Sequence, residues 1–378
     1  MPDPALDAQD SDAVVALARR LDVDLVVVGP EAPLVAGVAD SLSAAGIRCF
    51  GPTAAAAALE GSKAFCKEVM GAAGVPTAAH VVVTDPDAGM AAISRYPTVI
   101  KADGLAAGKG VIIAADERQA RAALADLLVE RRFGTEQVVI EEFLDGEELS
   151  LLALCDGERA LPLASAQDYK RIHDSDRGPN TGGMGSYSPV PAVDEARTLE
   201  ICAAVHQPVL DELARRGTPF HGVLYAGLMV NEQGVKVLEF NARFGDPETQ
   251  AILPRLRSDL LALLDAACEP GGLRDAEVQW APEAAVTVVL ASAGYPESSS
   301  SGDVITGLDA VPPDVFVTHA GTARDANGAI VTAGGRVLSV TALGADIAAC
   351  RRSAYAAADM IEFRGRQLRR DIALRAVR

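Results

Sequence analysis

The stretch TVIKADGLAAGKGVIIA, residues 98–114, decides the fold class. Its two ends are short β-branched runs and its middle is a glycine loop, so it reads as two strands joined by a flap. The loop from Lys101 to Gly110 combines Gly104, Gly108 and Gly110 with Lys101 and Lys109. Glycines let backbone N–H groups approach an anion closely, and a lysine adds a point charge for phosphoryl oxygens. It is not a Walker A loop, because Gly104 and Gly108 enclose three residues and Lys109 is followed by Gly110 where a magnesium-binding hydroxyl would stand. An ordinary tight hairpin with solvated lysines has the same local pattern, and the loop alone does not choose between the two.

Working outward, a strand at His80–Thr84 and a helix over 86–95 precede the hairpin, while a helix over 116–129 and a strand at Val138–Phe143 follow it. Together these predict an α+β unit. Further strands are expected near 149–155, 160–165, 221–230 and 234–240, with a helix over about 194–216. Between them the 25-residue stretch Gln167–Pro191, rich in Gly, Pro, Asn and Ser, reads as structureless, which in a compact protein points to a functional or a disordered loop. At the amino end, a helix over 11–21 feeds a buried strand at Val23–Val28, and a helix over about 33–45 feeds a strand at Ile47–Phe50. That is half of a doubly wound α/β layer whose first strand is expected to be missing, since residues 1–10 are polar and acidic and no GxGxxG occurs. The last hundred residues predict short strands at Ala285–Ala291, Val315–His319 and Arg336–Thr341 and a closing helix over about 344–361. The fold class is therefore α/β and α+β, in several domains.

A length of 378 residues fits two to three domains. With 34 Lys+Arg against 52 Asp+Glu, the net charge of −18 repels polyanions and argues against nucleic-acid or anionic-membrane binding. Any phosphate ligand must be held locally. No apolar run approaches the length of a membrane span and the opening residues are acidic where a signal peptide would be basic, so the expected location is the cytoplasm. The six cysteines are scattered singly and the five histidines form no HxxxH or HExxH, which leaves a zinc hydrolase or a disulfide framework without support.

Three more segments carry chemistry. VVIEEFLDGEELS (138–150) runs a strand into an acidic turn that could clamp a ribose while its backbone reads an adenine edge, although a solvated turn looks the same. In VLEFNARFGDPE (237–248), strand alternation puts Glu239 and Asn241 on one face, two oxygen ligands suited to magnesium, with Arg243 on that face and Asp246 and Glu248 in the turn beyond. A buried Glu–Arg pair ending a strand is the plainer alternative. GPNTGGMGSYSP (178–189), with Asp168, Lys170 and Arg171 upstream, could offer backbone donors to a small anion or could be a linker.

In this order, the four segments resemble the glycinamide ribonucleotide synthetase (phosphoribosylamine-glycine ligase) family of the ATP-grasp superfamily. GPEAPLVAG (29–37), GPTAAAAALEGSKAF (51–65), YAGLM (225–229), SGDVITGL (301–308), HAGT (319–322) and GGRVLSVTALG (334–344) extend the resemblance over nearly the whole chain. It implies an ATP-grasp fold: a truncated doubly wound domain over 1–62, an ATP-grasp domain over 63–272 with a mobile lid at about 80–146, and a small α+β domain over 278–378. The truncation concerns the apolar strand and GxGGREHA-type turn with which family members open.

The resemblance also implies the reaction: ATP-dependent ligation of glycine to 5-phosphoribosylamine through glycyl phosphate, with Mg2+ or Mn2+. Lys63, Lys101, Gly108, Lys109 and Gly110 would contact the ATP phosphates, the backbone of Glu141, Glu142, Phe143 and Leu144 the adenine, and Glu148, just before the returning strand, the ribose. Glu239 and Asn241 would hold the metal. Arg243 would position the glycine carboxylate and, with Lys101, carry catalysis, while Glu31, Asp168, Lys170, Asn180, Thr181, Gly182, Gly183 and Asp246 would line the substrate pocket. The implied partners are small molecules only, with no nucleic acid and no membrane, and a monomer is expected. The alternatives are an ATP-grasp ligase for another carboxylate and amine, or a fragment that binds nucleotide without ligating.

Overall fold

The flap strands form as the β-branched runs require: Thr98–Ala102 pairs antiparallel with Val111–Ala114, Thr98 opposite Ala114 and Lys101 opposite Val111. The computed structural model describes residues 6–106 and 109–377. The hairpin lies in a four-stranded sheet ordered His80–Val83, Val138–Glu142, Thr98–Ala102, Val111–Ala114, antiparallel throughout. Ile100, Ala102, Ala114, Val138 and Ile140 make a core with Leu124 and Leu127. The covering helix starts where Asp116 accepts a hydrogen bond from the Gln119 N–H at 2.8 Å, runs over Glu117–Leu124, and finishes as a wider π turn over Ala125–Val129. Helix Pro86–Ala92 packs against it so closely that a Cβ on Gly89 would lie 2.9 Å from Leu124.

A second antiparallel sheet is ordered Gly234–Asn241, His221–Asn231, Glu147–Asp156, Ala160–Pro162. Helix Glu195–Arg215 reaches it through Cys202 and His206, whose side chains bond the carbonyls of Ala160 and Leu151. The amino-terminal segment gives a parallel pair, Leu25–Val27 with Arg48–Phe50. Two expectations need correction here. The helix over 33–45 is two helices, Glu31–Val35 and Val38–Ala44, because Gly37 turns the chain through a left-handed φ of 90°. The strand expected to be buried is only partly covered, with Val27 44% exposed, since Arg48–Phe50 is its one strand neighbour among the described residues.

These elements belong to a first unit made of residues 1–163, 198–244 and 259–277; a second unit comprises residues 164–197, 245–258 and 278–378. The second contains a five-stranded sheet ordered Val315–His319, Arg336–Gly344, Ala284–Ala291, Gly185–Ser188, Gln167–Asp168. The stretch 167–191 is therefore not structureless. It supplies two strands of that sheet and a hairpin of Arg171–His173 with Arg177–Asn180. Its small residues answer tight packing instead of flexibility: a Cβ on Gly185 would sit 2.6 Å from the Thr287 carbonyl, and Ser186 and Ser188 are wholly buried. The closing helix is Ile347–Ala358, begun by an Asp346 cap that accepts from the Ala349 N–H at 2.7 Å. All six cysteines are free thiols. No helix among the described residues is long and apolar enough to cross a membrane.

Candidate active site

Ser62 caps the helix Lys63–Ala73, its hydroxyl accepting from the Phe65 N–H at 3.1 Å, and the helical repeat then puts Lys63 and Lys67 one turn apart on the same side. Lys63 Nζ donates to the Gly104 carbonyl at 2.8 Å, at the root of the flap. Asp103, one residue earlier, accepts from the Ser62 hydroxyl (3.1 Å), the Ala64 N–H (3.1 Å) and Gln137 Nε2 (2.6 Å), fastening the flap root to the helix start. A cavity of about 420 Å³ lined by Gly61, Asp103, Gly104 and Gln137 adjoins this point.

Lys101 points inward from its strand. Its Nζ donates to the Leu238 carbonyl at 2.9 Å and lies 2.9 Å from Glu141 Oε1, which is also 3.1 Å from Lys67 Nζ. Lys67, Lys101 and Glu141 are 3%, 6% and 3% exposed, so two ammoniums share one carboxylate away from water. Burial pushes the Lys63 and Lys67 ammoniums below the usual lysine range, opposed by Glu239 and by Glu141 respectively. Lys109 is exposed, and Gly110 sits where a Cβ would be 2.6 Å from that of Ala106. Gly108 lies outside the described residues.

Along Val138–Glu142 the side chains alternate, and Glu142 faces away from Glu141 into its own cluster. It accepts from Lys236 Nζ (2.8 Å), the Ala79 N–H (3.1 Å) and Arg95 (2.7 Å), and the Lys236 hydrogen bond leads in holding its carboxyl below the usual range. Phe143 is exposed and Leu144 half-buried beyond the strand end. Glu148 does not precede the returning strand; it is the second residue of Glu147–Asp156, opposite Met229, because pairing with the long strand His221–Asn231 begins at Glu147.

Glu239 and Asn241 share a face of the strand Gly234–Asn241, opposite Gly227 and Tyr225, and both are half-buried. A Cβ on Gly227 would meet Glu239 Cγ at 3.4 Å, an ordinary contact, so the two residues are close neighbours across the strand pair. No three His, Cys, Asp or Glu residues converge into a closed metal cage among the described residues. One carboxylate and one amide oxygen fit a hard cation that completes its shell with phosphate and water, which is how Mg2+ is usually held. Arg243 lies beyond the strand end, so alternation does not set its direction. Its guanidinium is 3.3 Å from Glu31 Oε2 and 3.4 Å from Glu60 Oε1. Glu60 also accepts from the Ala242 N–H at 2.6 Å, and burial, partly offset by Arg243, pushes its carboxyl up to about 7.

The other predicted residues fall in the second unit and are pinned there into one loop. The Lys170 carbonyl accepts from the Thr181 N–H (2.7 Å) and hydroxyl (2.8 Å), and that hydroxyl accepts from the Gly183 N–H at 3.0 Å. Asp168 pairs with Ser186 in the sheet, and Asn180 closes the hairpin opposite Arg171. Gly183 needs to be glycine, with φ 111° and Pro247 Cδ 2.4 Å from a would-be Cβ. Arg336 donates to the Gly182 and Asp246 carbonyls, both at 2.7 Å, and pairs with the Asp246 carboxylate at 3.1 Å, while Tyr295 OH accepts from the Gly182 N–H at 2.9 Å. Asp246 thus organises the loop through Arg336.

The sequence reading passed over Lys67, Glu60, Arg336 and Tyr295. Lys67 and Glu60 flank Lys63 by four and three residues, and the helix period was the available signal for Lys67. Nothing local marks Arg336 or Tyr295, whose partners are far away in sequence.

Residues 3–60, 61–249 and 285–375 match the N domain, the ATP-grasp (A) domain and the C domain of phosphoribosylglycinamide synthetase. The chain belongs to the phosphoribosylglycinamide synthetase family. A phosphoribosylamine–glycine ligase of Streptomyces coelicolor is 55% identical over 379 residues, covering 98% of this chain and 88% of that protein. One from Xylella fastidiosa strain 9a5c is 50% identical, covering 97% and 85%. The crystal structure of the Thermotoga maritima phosphoribosylamine–glycine ligase superposes with a TM-score of 0.77 at 38% identity, over 86% of this chain and 82% of that one. The biotin carboxylase domain of a Hydrogenobacter thermophilus 2-oxoglutarate carboxylase, solved with MgADP, ADP and bicarbonate, superposes at 0.72 but 16% identity, over 95% and 79%, and shares the ATP-grasp fold. The synthetase family thus accounts for both units and for the flap hairpin.

Proposed function

We infer that this chain is the ATP-dependent ligase that joins glycine to 5-phosphoribosylamine, giving glycinamide ribonucleotide, ADP and phosphate in purine biosynthesis. Family membership over nearly the whole length supports the reaction, and the observation that carries the chemistry is the lysine-rich interior of the first unit beside the Glu239–Asn241 pair. In the proposed sequence a glycine carboxylate oxygen attacks the γ-phosphorus of ATP and ADP departs, leaving glycyl phosphate. The phosphoribosylamine nitrogen then attacks the acyl carbon, loses a proton, and expels phosphate. No side-chain nucleophile is required, so catalysis rests on positioning and charge neutralisation.

Lys63 and Lys101 take the triphosphate, the flap with Lys109 and Gly110 covers it, and excluded water spares the acyl phosphate. The backbone from Glu141 to Leu144 reads adenine, with Glu148 toward the ribose. Arg243, steered by Glu31 and Glu60, orients the glycine carboxylate. Asp168, Lys170, Asn180, Thr181, Gly182, Gly183 and Asp246 shape the loop for the amine substrate. Glu239 and Asn241 would hold Mg2+, or Mn2+ in its place, which neutralises phosphate charge as the γ-phosphoryl group is transferred. Residues 1–62, 63–272 with a lid at 80–146, and 278–378 are the functional domains of this scheme, and the enzyme works as a cytoplasmic monomer. The deciding experiment follows phosphate release from magnesium-ATP with glycine and freshly made phosphoribosylamine, singly and together. Release that needs both is expected; release indifferent to glycine would overturn the reading.

A further inference from the structure

Lys67 takes no part in the scheme above, yet it is as deeply buried as Lys101 and touches the same oxygen, Glu141 Oε1, at 3.1 Å against 2.9 Å. Its other contact anchors it: Nζ donates to Thr77 Oγ1 at 2.7 Å, and that hydroxyl donates to the Val237 carbonyl at 2.7 Å. Lys101 bonds the next carbonyl, that of Leu238, at 2.9 Å. The network therefore joins the helix Lys63–Ala73, the strands Thr98–Ala102 and Val138–Glu142, and the strand that ends in Glu239 and Asn241. Its formal charge is one positive in excess. A buried lone pair of Lys101 and Glu141 would be self-neutralised, and an arriving phosphate would have to compete with Glu141 for the ammonium.

We propose that Lys67 is a positioning residue for nucleotide binding: it occupies Glu141 so that Lys101 keeps a net charge for the ATP phosphates and is held at fixed distance from the metal-binding strand. This rests on the assignment of Lys101 to ATP, and the test separates the two. ATP affinity is measured by calorimetry without glycine or amine, alongside the KM for each substrate, in the wild type, Lys101→Met, Lys67→Met, Lys67→Arg and the double variant Lys67→Met/Glu141→Gln. Loss of ATP affinity in Lys101→Met upholds the assignment of Lys101, and unchanged affinity there overturns it and this inference with it.

Lys67→Met is expected to weaken ATP binding at least tenfold while the KM for glycine stays within twofold. Lys67→Arg restores most of the loss, and the double variant binds ATP at least fivefold more tightly than Lys67→Met, because neutralising Glu141 frees Lys101 again. A merely structural Lys67 predicts no such rescue. A Lys67→Met protein with wild-type ATP affinity, or a double variant no better than the single, overturns the inference. Should Lys67→Met not fold, the double variant, which removes one charge of each sign, decides alone: ATP affinity within tenfold of wild type supports the inference and a larger loss overturns it.

Discussion

In the first unit two ammoniums, Lys67 and Lys101, share one carboxylate oxygen of Glu141; in the second, one guanidinium, Arg369, is shared by two carboxylates, Asp176 and Asp371. The first cluster is buried throughout; in the second Arg369 is wholly buried, while Asp371 is half-buried and Asp176 reaches solvent. Arg369 bonds Asp371 through Nε (2.8 Å) and Nη2 (2.7 Å), Asp176 at 2.9 Å and the Arg171 carbonyl at 3.1 Å, and lies 4.8 Å over the Tyr169 ring. Arg375 also meets Asp176, so the charges close. This clamp holds the tip of the hairpin, where Ser175 and Asp176 adopt left-handed φ of 60° and 51°. A closed set of charges locks local structure and leaves nothing for a ligand. A set with a surplus cation is costly until an anion arrives, which marks it as a place for one.

The largest effect is expected at Arg369. Replacing it by Met removes the wholly buried hub that bonds Asp371, Asp176 and the Arg171 carbonyl, and a loss of about 3 kcal/mol is expected in denaturant unfolding, with ATP affinity of the folded protein unchanged. A stable Arg369→Met protein would show the clamp to be ornamental. His206 gives the next effect, from a base with no counter-charge. It is fully buried, its ring meets Phe240 edge-on at 6.1 Å, and burial pushes it down from 6.5 to about 4. The folded state then refuses a proton that the unfolded chain accepts, so stability is complete above pH 6.5 and falls as pH drops toward 4. Each pH unit in that window costs about 1.4 kcal/mol, about 3 kcal/mol in all. His206→Phe should flatten this part of a melting-temperature profile, and an unchanged slope would assign the loss elsewhere. Glu239→Ala is expected to lower kcat/KM for magnesium-ATP roughly 100-fold, about 2.7 kcal/mol, at unaltered melting temperature. Unaltered turnover would remove Glu239 from the metal assignment.

The same contrast explains what could be read in advance. The flap hairpin, the acidic strand end and the Glu239–Asn241 spacing are local patterns of period two with glycine punctuation, and each stands where the pattern put it. Lys67 lies in a helix whose register was available, but its partner Glu141 is reached only through folding. The clamp was further out of reach, since Arg369 and Asp176 are joined across nearly two hundred positions. The stretch 167–191 misled for a related reason: Gly185, Ser186 and Ser188 are small because Thr287 and its neighbours press on them, and crowding of that kind reads in sequence as looseness.

Asp103 stands between the two kinds of cluster and should give the smallest effect. It accepts from Ser62, Ala64 and Gln137, all uncharged donors, so it resembles the clamp in being satisfied. Its neighbour Gly104, however, holds Lys63 by its carbonyl, which ties it to the surplus-charge side. Asp103→Ala removes an acceptor from the start of the helix Lys63–Ala73, though Ser62 still caps Phe65, and about 1–2 kcal/mol of stability should go with it. Asp103→Asn keeps an acceptor oxygen and should lose less. If the KM for ATP rises in Asp103→Ala in step with the loss of stability, the residue is scaffolding for the flap root. If KM rises while the melting temperature holds, Asp103 acts through Lys63, and the boundary between locking and binding charges runs through the flap root itself.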